Sequence, residues 1–268
     1  MEVVEKPTSR NSESDSKRTA AMHLVVLCAG YGTRLARDIE AAKPKASYAH
    51  LAGIPKPLLP VAGRPLISHW TDGASRAPAI DQICVVVNAA NVGKFEAWRL
   101  KLCYEVALVL EESRCNEERS GAVACIGLAC DALASGSSDP VVVVAGDTLP
   151  KPDFSLDSFV SRYEELNPSL VDPDSGFRKE VTPRSLILAC PCPEEDVSKR
   201  GIIEVNKKES DRVTSFLEKP SPSETNSRLQ SPCLYLLHPS HQRLLARFLA
   251  ERKDAPLAQR DATGHFVK

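Results

Sequence analysis

The sequence predicts an α/β protein built on a mostly parallel sheet with helices on both faces. Four short apolar runs, Leu24–Cys28, Ile83–Val87, Val106–Leu110 and Val141–Ala145, are continuous rather than alternating. That is the mark of strands buried on both faces. Amphipathic stretches lie between these runs, and strands that alternate with helices pair in parallel. After about residue 150 the strand-like segments crowd together, which adds a smaller mixed β portion to the sheet.

In chain order, residues 1–20 hold four basic, four acidic and four serine residues with few apolar ones, and read as a disordered leader. Order begins at His23, with the first strand directly behind it. Residues 64–77 and 91–102 suit helices. Ser120 is placed to cap a helix whose apolar positions Val123, Ile126, Cys130 and Leu133 fall at helical spacing. Residues 155–166 suit another helix. The polar stretch 167–184 is broken by Pro168, Pro173, Gly176 and Pro183 and reads as a surface insertion. Strands are expected at Leu186–Cys190, Gly201–Val205, Val213–Leu217 and Cys233–Leu237. His238-Pro239 then opens a helix with Leu244, Leu245, Phe248 and Leu249 on one face. No internal repeat is seen.

Composition narrows the function. The chain has 268 residues, with 34 basic against 35 acidic side chains. A near-neutral balance excludes a nucleic-acid binder driven by bulk charge, because phosphate-backbone affinity needs a basic surface. No apolar run approaches the roughly 18 residues that span a bilayer. Charged residues interrupt the first twenty positions where a secretory signal would lie. The nine cysteines form no C-x-x-C pair, and several sit inside apolar runs. Such thiols suit a reducing, cytoplasmic location.

The densest local signal follows the first strand: Cys28-Ala29-Gly30-Tyr31-Gly32-Thr33-Arg34-Leu35. Two glycines let the backbone turn tightly and present N–H groups to an anion. Arg34 adds a permanently charged fork suited to phosphate oxygens. A glycine loop at the carboxyl end of a strand is where open α/β sheets bind ligands. Two named alternatives fail on spacing. A dinucleotide fingerprint needs a third glycine at position 35, which is Leu35, and the Gly-Lys-Ser/Thr of a P-loop is missing.

The loop does resemble the signature of the sugar-phosphate nucleotidyltransferases, the nucleotide-sugar pyrophosphorylases. Their Gly-x-Gly-Thr-Arg-Leu is followed by Pro-Lys-Pro-Leu, and here Pro55-Lys56-Pro57-Leu58 stands in that place before Val61-Ala62-Gly63-Arg64-Pro65. Ser120-Gly121-Ala122 is similar to the helix start that borders nucleotide and sugar. Gly146-Asp147 resembles the strand end that delivers a metal-binding aspartate, Arg200-Gly201-Ile202-Ile203 the stretch beside the sugar, and Glu218-Lys219-Pro220 the family's Glu-Lys-Pro. The likeness runs over about residues 23–250.

What the resemblance implies is specific. The fold is Rossmann-like and α/β, of the nucleotide-diphospho-sugar transferase type, with residues 21–150 as the nucleotide-binding half and 151–268 as the sugar-phosphate half. The reaction joins a nucleoside triphosphate and a sugar 1-phosphate to give a nucleotide sugar and pyrophosphate. Arg34, Lys56 and Asp147 are the implied catalytic residues. Ala29, Gly30, Gly32, Thr33, Asn116 and Gly121 are implied for the nucleotide, and Gly201, Glu218 and Lys219 for the sugar phosphate. Asp147 is the implied ligand of Mg²⁺, which suits a hard carboxylate shared with phosphate oxygens. Neither nucleic acid nor membrane is implied, and a homo-oligomer is compatible with it. Two other readings stay open: a non-catalytic homologue that binds nucleotide, and a transferase for a non-sugar phosphate such as phosphocholine.

The sequence also departs from the family pattern. Nineteen residues separate Leu35 from Pro55, more than the family usually has, and they contain a decoy, Lys43-Pro44-Lys45. Family members carry a second metal-binding aspartate on a later strand, and the sequence stops before any segment that matches it. The expectation is therefore of a site short of one carboxylate.

Overall fold

The computed structural model describes residues 21–42, 47–133, 139–168, 182–209, 212–261 and 263–267. The expected leader at 1–20 and most of the expected insertion at 167–184 lie outside them, as do Lys43 and Lys45.

The first half alternates as the apolar runs require. Strand β1 (Met22–Leu27) leads into helix α1 (Thr33–Ala42), followed by a hairpin of β2 (Pro60–Val61) and β3 (Arg64–Pro65). Helix α2 (Ser68–Ala74), β4 (Ile80–Asn88), α3 (Val92–Arg99), β5 (Ala107–Glu111), α4 (Ala122–Leu133) and β6 (Val141–Ala145) complete it. The second half contains α5 (Leu156–Leu166), β7 (Leu186–Ile187), β8 (Cys190–Pro191), β9 (Gly201–Asn206) and β10 (Arg212–Glu218). It ends with β11 (Leu229–Gln230), β12 (Leu234–Leu237), α6 (Pro239–Gln242), α7 (Leu244–Glu251), α8 (Leu257–Asp261) and α9 (Thr263–Val267).

The main sheet runs β5-β4-β1-β6-β12-β7. Strands β5, β4, β1 and β6 are parallel, and β12 joins β6 antiparallel. A second, antiparallel sheet has the order β10-β9-β11-β8. The expected architecture is therefore present, with the parallel sheet carrying antiparallel strands at one edge, as large mixed sheets commonly do.

Both faces of the main sheet are covered, which explains why its strands read as unbroken apolar runs. Successive strand residues point to opposite faces. Leu24, Val26, Val85, Val87, Val142 and Val144 pack under Trp70 of α2, Phe95 and Trp98 of α3 and Phe159 of α5. Val25, Cys84, Val86, Val141 and Val143 pack under Val123, Ile126 and Ala129 of α4 and Leu245 and Phe248 of α7. Leu24→Ala is expected to cost roughly 2–5 kcal/mol in a denaturant titration, because it leaves a cavity in a two-sided core. Leu244→Ala, at a position 48% exposed, should change stability by less than about 1 kcal/mol. Leu244 corrects the expected apolar face of the last long helix. Helix α6 ends at Gln242 and α7 starts at Leu244, and only Leu245 and Phe248 of the four residues are buried.

Three further expectations are revised. The helix expected over 64–77 starts only at Ser68, because residues 60–65 turn back as a hairpin around Ala62-Gly63. The strand expected over Leu186–Cys190 divides between the two sheets. Ile187 pairs with Tyr235 of the main sheet, whereas Pro191 pairs with Leu229 at the edge of the second, the position where a strand tolerates a residue without an N–H. Ser120 does not cap α4, since its side chain turns away to Glu111.

No helix among the described residues is long and apolar enough to cross a membrane. All nine cysteines are free thiols.

Candidate functional site

The topology itself places a site. From β1 the chain moves one way across the sheet to β4 and β5, then returns over α4 to β6 on the other side of β1. A crevice opens at the carboxyl ends of the parallel strands where this order reverses. A cavity of about 620 Å³ lies there. Its walls include Ala29, Gly30, Gly32, Thr33 and Arg34 from the turn after β1, Lys56 from the loop before β2, Gly121 at the start of α4, and Asp147 after β6.

Each wall is held by local structure. Asn88, fully buried at the end of β4, donates from Nδ2 to the carbonyl of Ala29 at 2.8 Å. That bond fixes the base of the glycine loop. The first N–H groups of α1 have no intrahelical acceptor and face the loop. Lys56 lies in a one-turn 3₁₀ helix, Lys56–Leu58, entered from Pro55 at φ −55° and closed by Leu59 N–H on the Lys56 carbonyl. Pro57 within that turn is buried.

Asp147 is aimed by the turn after β6. Gly146 donates its N–H to the carbonyl of Leu27 at 2.9 Å, so the two strand ends touch. A Cβ built on Gly146 would stand 2.3 Å from Cys28 Sγ. Only glycine fits this close approach. On the far side, the indole N–H of Trp70 donates to the carbonyl of Thr148 at 2.6 Å. Gly146→Ala should therefore move Asp147 or push Cys28 aside. The expected result is soluble protein in which any turnover that depends on Asp147 is lowered at least tenfold, on the scale of misplaced catalytic groups. Wild-type rates from Gly146→Ala would show that the close packing is not needed to aim Asp147.

Lys56 and Asp147 meet directly. Lys56 Nζ donates to Asp147 Oδ2 at 2.6 Å, with both side chains 43% exposed. An ion pair this open to solvent contributes between zero and about 1 kcal/mol, so either partner can be exchanged for a ligand at little cost.

The same cavity has residues that the motifs did not announce. Asp38, Glu111, Arg119, Cys125, Cys233 and Asp261 also line it. Glu111 is the one buried residue of the edge strand β5 and ends its apolar run, as Asp147 nearly ends that of β6, a pattern legible in the sequence. Asp261 carries no such signal, because it arrives from 139 positions beyond its partner. Its Oδ1 accepts the Ala122 N–H at 2.6 Å and its Oδ2 lies 3.8 Å from Arg119 Nε. Asp261 thus supplies the cap of α4 that Ser120 was expected to give. Gly121, at φ +99°, sits so close that an added Cβ would be 2.9 Å from Asp261 Cα.

The thiols in the wall are kept neutral. Burial, then the Asp147 carboxylate, raises Cys28 well above the usual thiol range. Cys233 is pushed up to about 12 by burial and the charges of Asp147 and Glu218, and Cys125 to about 12 by burial, Glu111 and Asp261. A neutral thiol is a poor nucleophile. The reactive groups of this cavity are therefore oxygens and nitrogens.

Four expected site residues stand elsewhere. Asn116 is absent from the cavity wall, and its carbonyl accepts Arg119 Nη1 at 2.8 Å. Gly201 and Glu218 are paired neighbours in β9 and β10 of the second sheet. A Cβ on Gly201 would lie 2.6 Å from the ring of Phe216 and 3.5 Å from Glu218 Oε2. Lys219 takes a left-handed φ of +50°, held by its N–H on the Arg200 carbonyl at 2.9 Å. Backbone strain of this kind persists only where the surroundings impose it. After burial and Asp147, the Glu218 charge adds to the rise of the Cys233 thiol in the cavity wall.

Known proteins share this frame. A structure of UDP-glucose pyrophosphorylase complexed with UDP-glucose superposes with a TM-score of 0.61 at 19% identity, covering 84% of this chain and 79% of that one. A putative glucose-1-phosphate thymidylyltransferase from Bacillus anthracis gives a TM-score of 0.60 at 17% identity, covering 92% and 81%. The inositol-1-phosphate CTP transferase from T. maritima gives 0.57 at 14% identity, covering 92% and 80%. At such identities the likeness is one of fold. The comparison with curated proteins finds no match. The family comparison is decisive, because the model of the MobA-like NTP transferase domain matches residues 24–263, from the first residue of the first strand's apolar run to the first residue of the short helix after Asp261. The chain belongs to that nucleotidyltransferase family.

Proposed function

We propose that this chain transfers a nucleotidyl group from a nucleoside triphosphate to a sugar 1-phosphate, releasing pyrophosphate. One observation carries the reading. Segments 29–34, 56, 121 and 147, far apart in sequence, converge on a single cavity at the switch point of the sheet.

A phosphate oxygen of the sugar 1-phosphate attacks the α-phosphorus of the triphosphate in line. The bond from that phosphorus to the bridging oxygen breaks, and pyrophosphate leaves with its electrons. Such a step needs positioning and charge neutralisation more than a covalent intermediate. The loop N–H groups and Arg34 suit the β- and γ-phosphates. Lys56 leaves Asp147 for the reacting phosphates, an exchange that the solvent-exposed pair permits. Glu218 and Lys219 suit the sugar hydroxyls and the sugar phosphate from the second sheet.

The cavity wall sets three basic side chains, Arg34, Lys56 and Arg119, against four carboxyl groups, Asp38, Glu111, Asp147 and Asp261. That balance does not neutralise a triphosphate without a counter-cation. Asp147, a hard oxygen donor half open to the cavity, fits Mg²⁺ carried in with phosphate oxygens. Bound there, Mg²⁺ would withdraw charge from the α-phosphate. Asp261 is engaged with the start of α4, so Asp147 is the carboxylate assigned to the metal.

A second reading concerns the acceptor. The inositol-1-phosphate CTP transferase among the structural neighbours makes a cyclitol or other alcohol phosphate a direct rival to a sugar phosphate. The test is pyrophosphate release from ATP, GTP, CTP, UTP and dTTP, each paired with glucose 1-phosphate, mannose 1-phosphate, inositol 1-phosphate or phosphocholine, with Mg²⁺. Release with a sugar 1-phosphate supports the leading reading. Release confined to inositol 1-phosphate or phosphocholine transfers support to the second. No release from any pair, by a folded protein that still binds a triphosphate, favours a non-catalytic nucleotide binder.

A further inference from the structure

Glu111 is 2% exposed, yet no motif announces it. Its Oε1 accepts both the backbone N–H of Ser120, at 3.1 Å, and the Ser120 hydroxyl, at 2.6 Å. Its Oε2 accepts the hydroxyl of Ser113. Ser113 Oγ in turn lies 2.8 Å from the hydroxyl of Tyr31. Since Ser113 has one proton and gives it to Glu111, Tyr31 is the donor in that last bond.

We infer that Glu111 is a positioning residue that fixes the gap between the glycine loop and the start of α4, and thereby the affinity for nucleotide. This rests on the reading of the cavity as a nucleotide site. Tyr31 stands between Gly30 and Gly32, and Ser120 immediately precedes Gly121. One carboxyl group therefore ties both walls of the cavity together, reaching Ser120 nine residues on and, through Ser113, Tyr31 82 residues away. Without such a tie, a loop with two glycines samples many conformations, and binding must order it. Asn88 secures the loop at Ala29, and Tyr31 is its second anchor. Burial raises the Tyr31 phenol above its usual range, so it remains a donor at neutral pH.

The connection, rather than a charge, is what the assignment requires, and glutamine separates the two. In Glu111→Gln the carbonyl oxygen can still face Ser120, whose two groups both donate. The amide NH₂ then faces Ser113, which accepts it and donates onward to Tyr31. The relay reverses direction but remains joined. Alanine breaks it.

Equilibrium binding of ATP, GTP, CTP, UTP and dTTP with Mg²⁺ identifies the preferred triphosphate, and Tyr31→Phe, Glu111→Ala and Glu111→Gln are then compared. Tyr31→Phe and Glu111→Ala are expected to weaken its binding roughly tenfold, and Glu111→Gln by no more than about threefold, the scale of one net hydrogen bond lost or kept. In steady state the KM for the triphosphate rises while that for the phosphate acceptor does not, a split that general destabilisation does not produce. Tyr31→Phe added to Glu111→Ala changes nothing further, because both cut one path. If Glu111→Ala does not fold, Tyr31→Phe and Ser113→Ala carry the same test, since both residues are only at the loop end of the relay. Unchanged binding in Tyr31→Phe overturns the assignment, as does Glu111→Gln binding as weakly as Glu111→Ala. A folded wild-type protein that binds none of the five triphosphates overturns the nucleotide reading itself, and the assignment with it.

Discussion

Asp147→Asn should lower Mg²⁺-dependent pyrophosphate release by roughly a hundred- to a thousand-fold, the range seen when one preorganised charge-stabilising group is lost. The amide keeps the shape of the carboxylate and removes its charge. The fold should survive, because Asp147 contributes a half-exposed ion pair and no core packing. Its pairing with Lys56 is worth no more than about 1 kcal/mol, so the thermal midpoint should move by only a few degrees. The variant also frees Lys56, which keeps triphosphate binding within reach and confines the loss to turnover. The measurement is initial rate against Mg²⁺ concentration for both proteins, with nucleotide binding measured in parallel. An Asp147→Asn enzyme with the wild-type rate and Mg²⁺ dependence would remove the metal from this position and turn attention to Asp261.

Much of this site was legible in the sequence because its parts are local. A buried parallel strand declares itself by a continuous apolar run, and the residues at its carboxyl end are then known by subtraction. That logic placed Gly30, Gly32 and Arg34 after β1 and Asp147 after β6. The same logic applied to β5 would have found Glu111, which ends a run of the same kind. No motif marks Glu111. The cap of α4 could not be read at all. Ser120 has the right chemistry one residue too early, and Gly121 at positive φ separates it from the first helical turn. The carboxylate that does the capping, Asp261, comes from 139 residues further along the chain, and sequence spacing carries no information about such contacts.

The strand at 186–190 shows a second limit. Its composition fits a strand throughout, but the choice between two sheets depends on partners contributed by residues 229–237. Local propensity cannot express that choice. The second sheet is likewise informative about placement rather than role. Gly201, with an added Cβ meeting Phe216, records a packing constraint as much as a ligand contact. The left-handed Lys219 is the better pointer, since strain at a non-glycine residue has to be imposed by its surroundings.

Lys56→Ala is expected to lower turnover roughly a hundredfold, with a smaller loss for Lys56→Arg. The side chain belongs to a short 3₁₀ turn that the prolines on either side restrict, so its ammonium reaches the cavity from a defined direction. In the free protein that ammonium neutralises Asp147 at 2.6 Å. On the proposed function, arriving phosphates exchange one oxygen anion for another at Lys56, and its positive charge is then available where charge builds up in the transition state. Arginine preserves the charge but presents it as a wider planar fork, which fits a short reach to one carboxylate oxygen poorly. Removal of Lys56 also leaves Asp147 without its cation, so apparent Mg²⁺ affinity should rise or hold as turnover falls. Loss of a merely structural lysine would not give that opposed pair of changes. Lys45→Ala provides the control from the other Pro-Lys of the sequence. Equal losses in the two variants would show that the wrong lysine had been placed at the reacting phosphates. Loss in Lys56→Ala together with weakened Mg²⁺ affinity would show that the lysine supports Asp147 instead of the substrate.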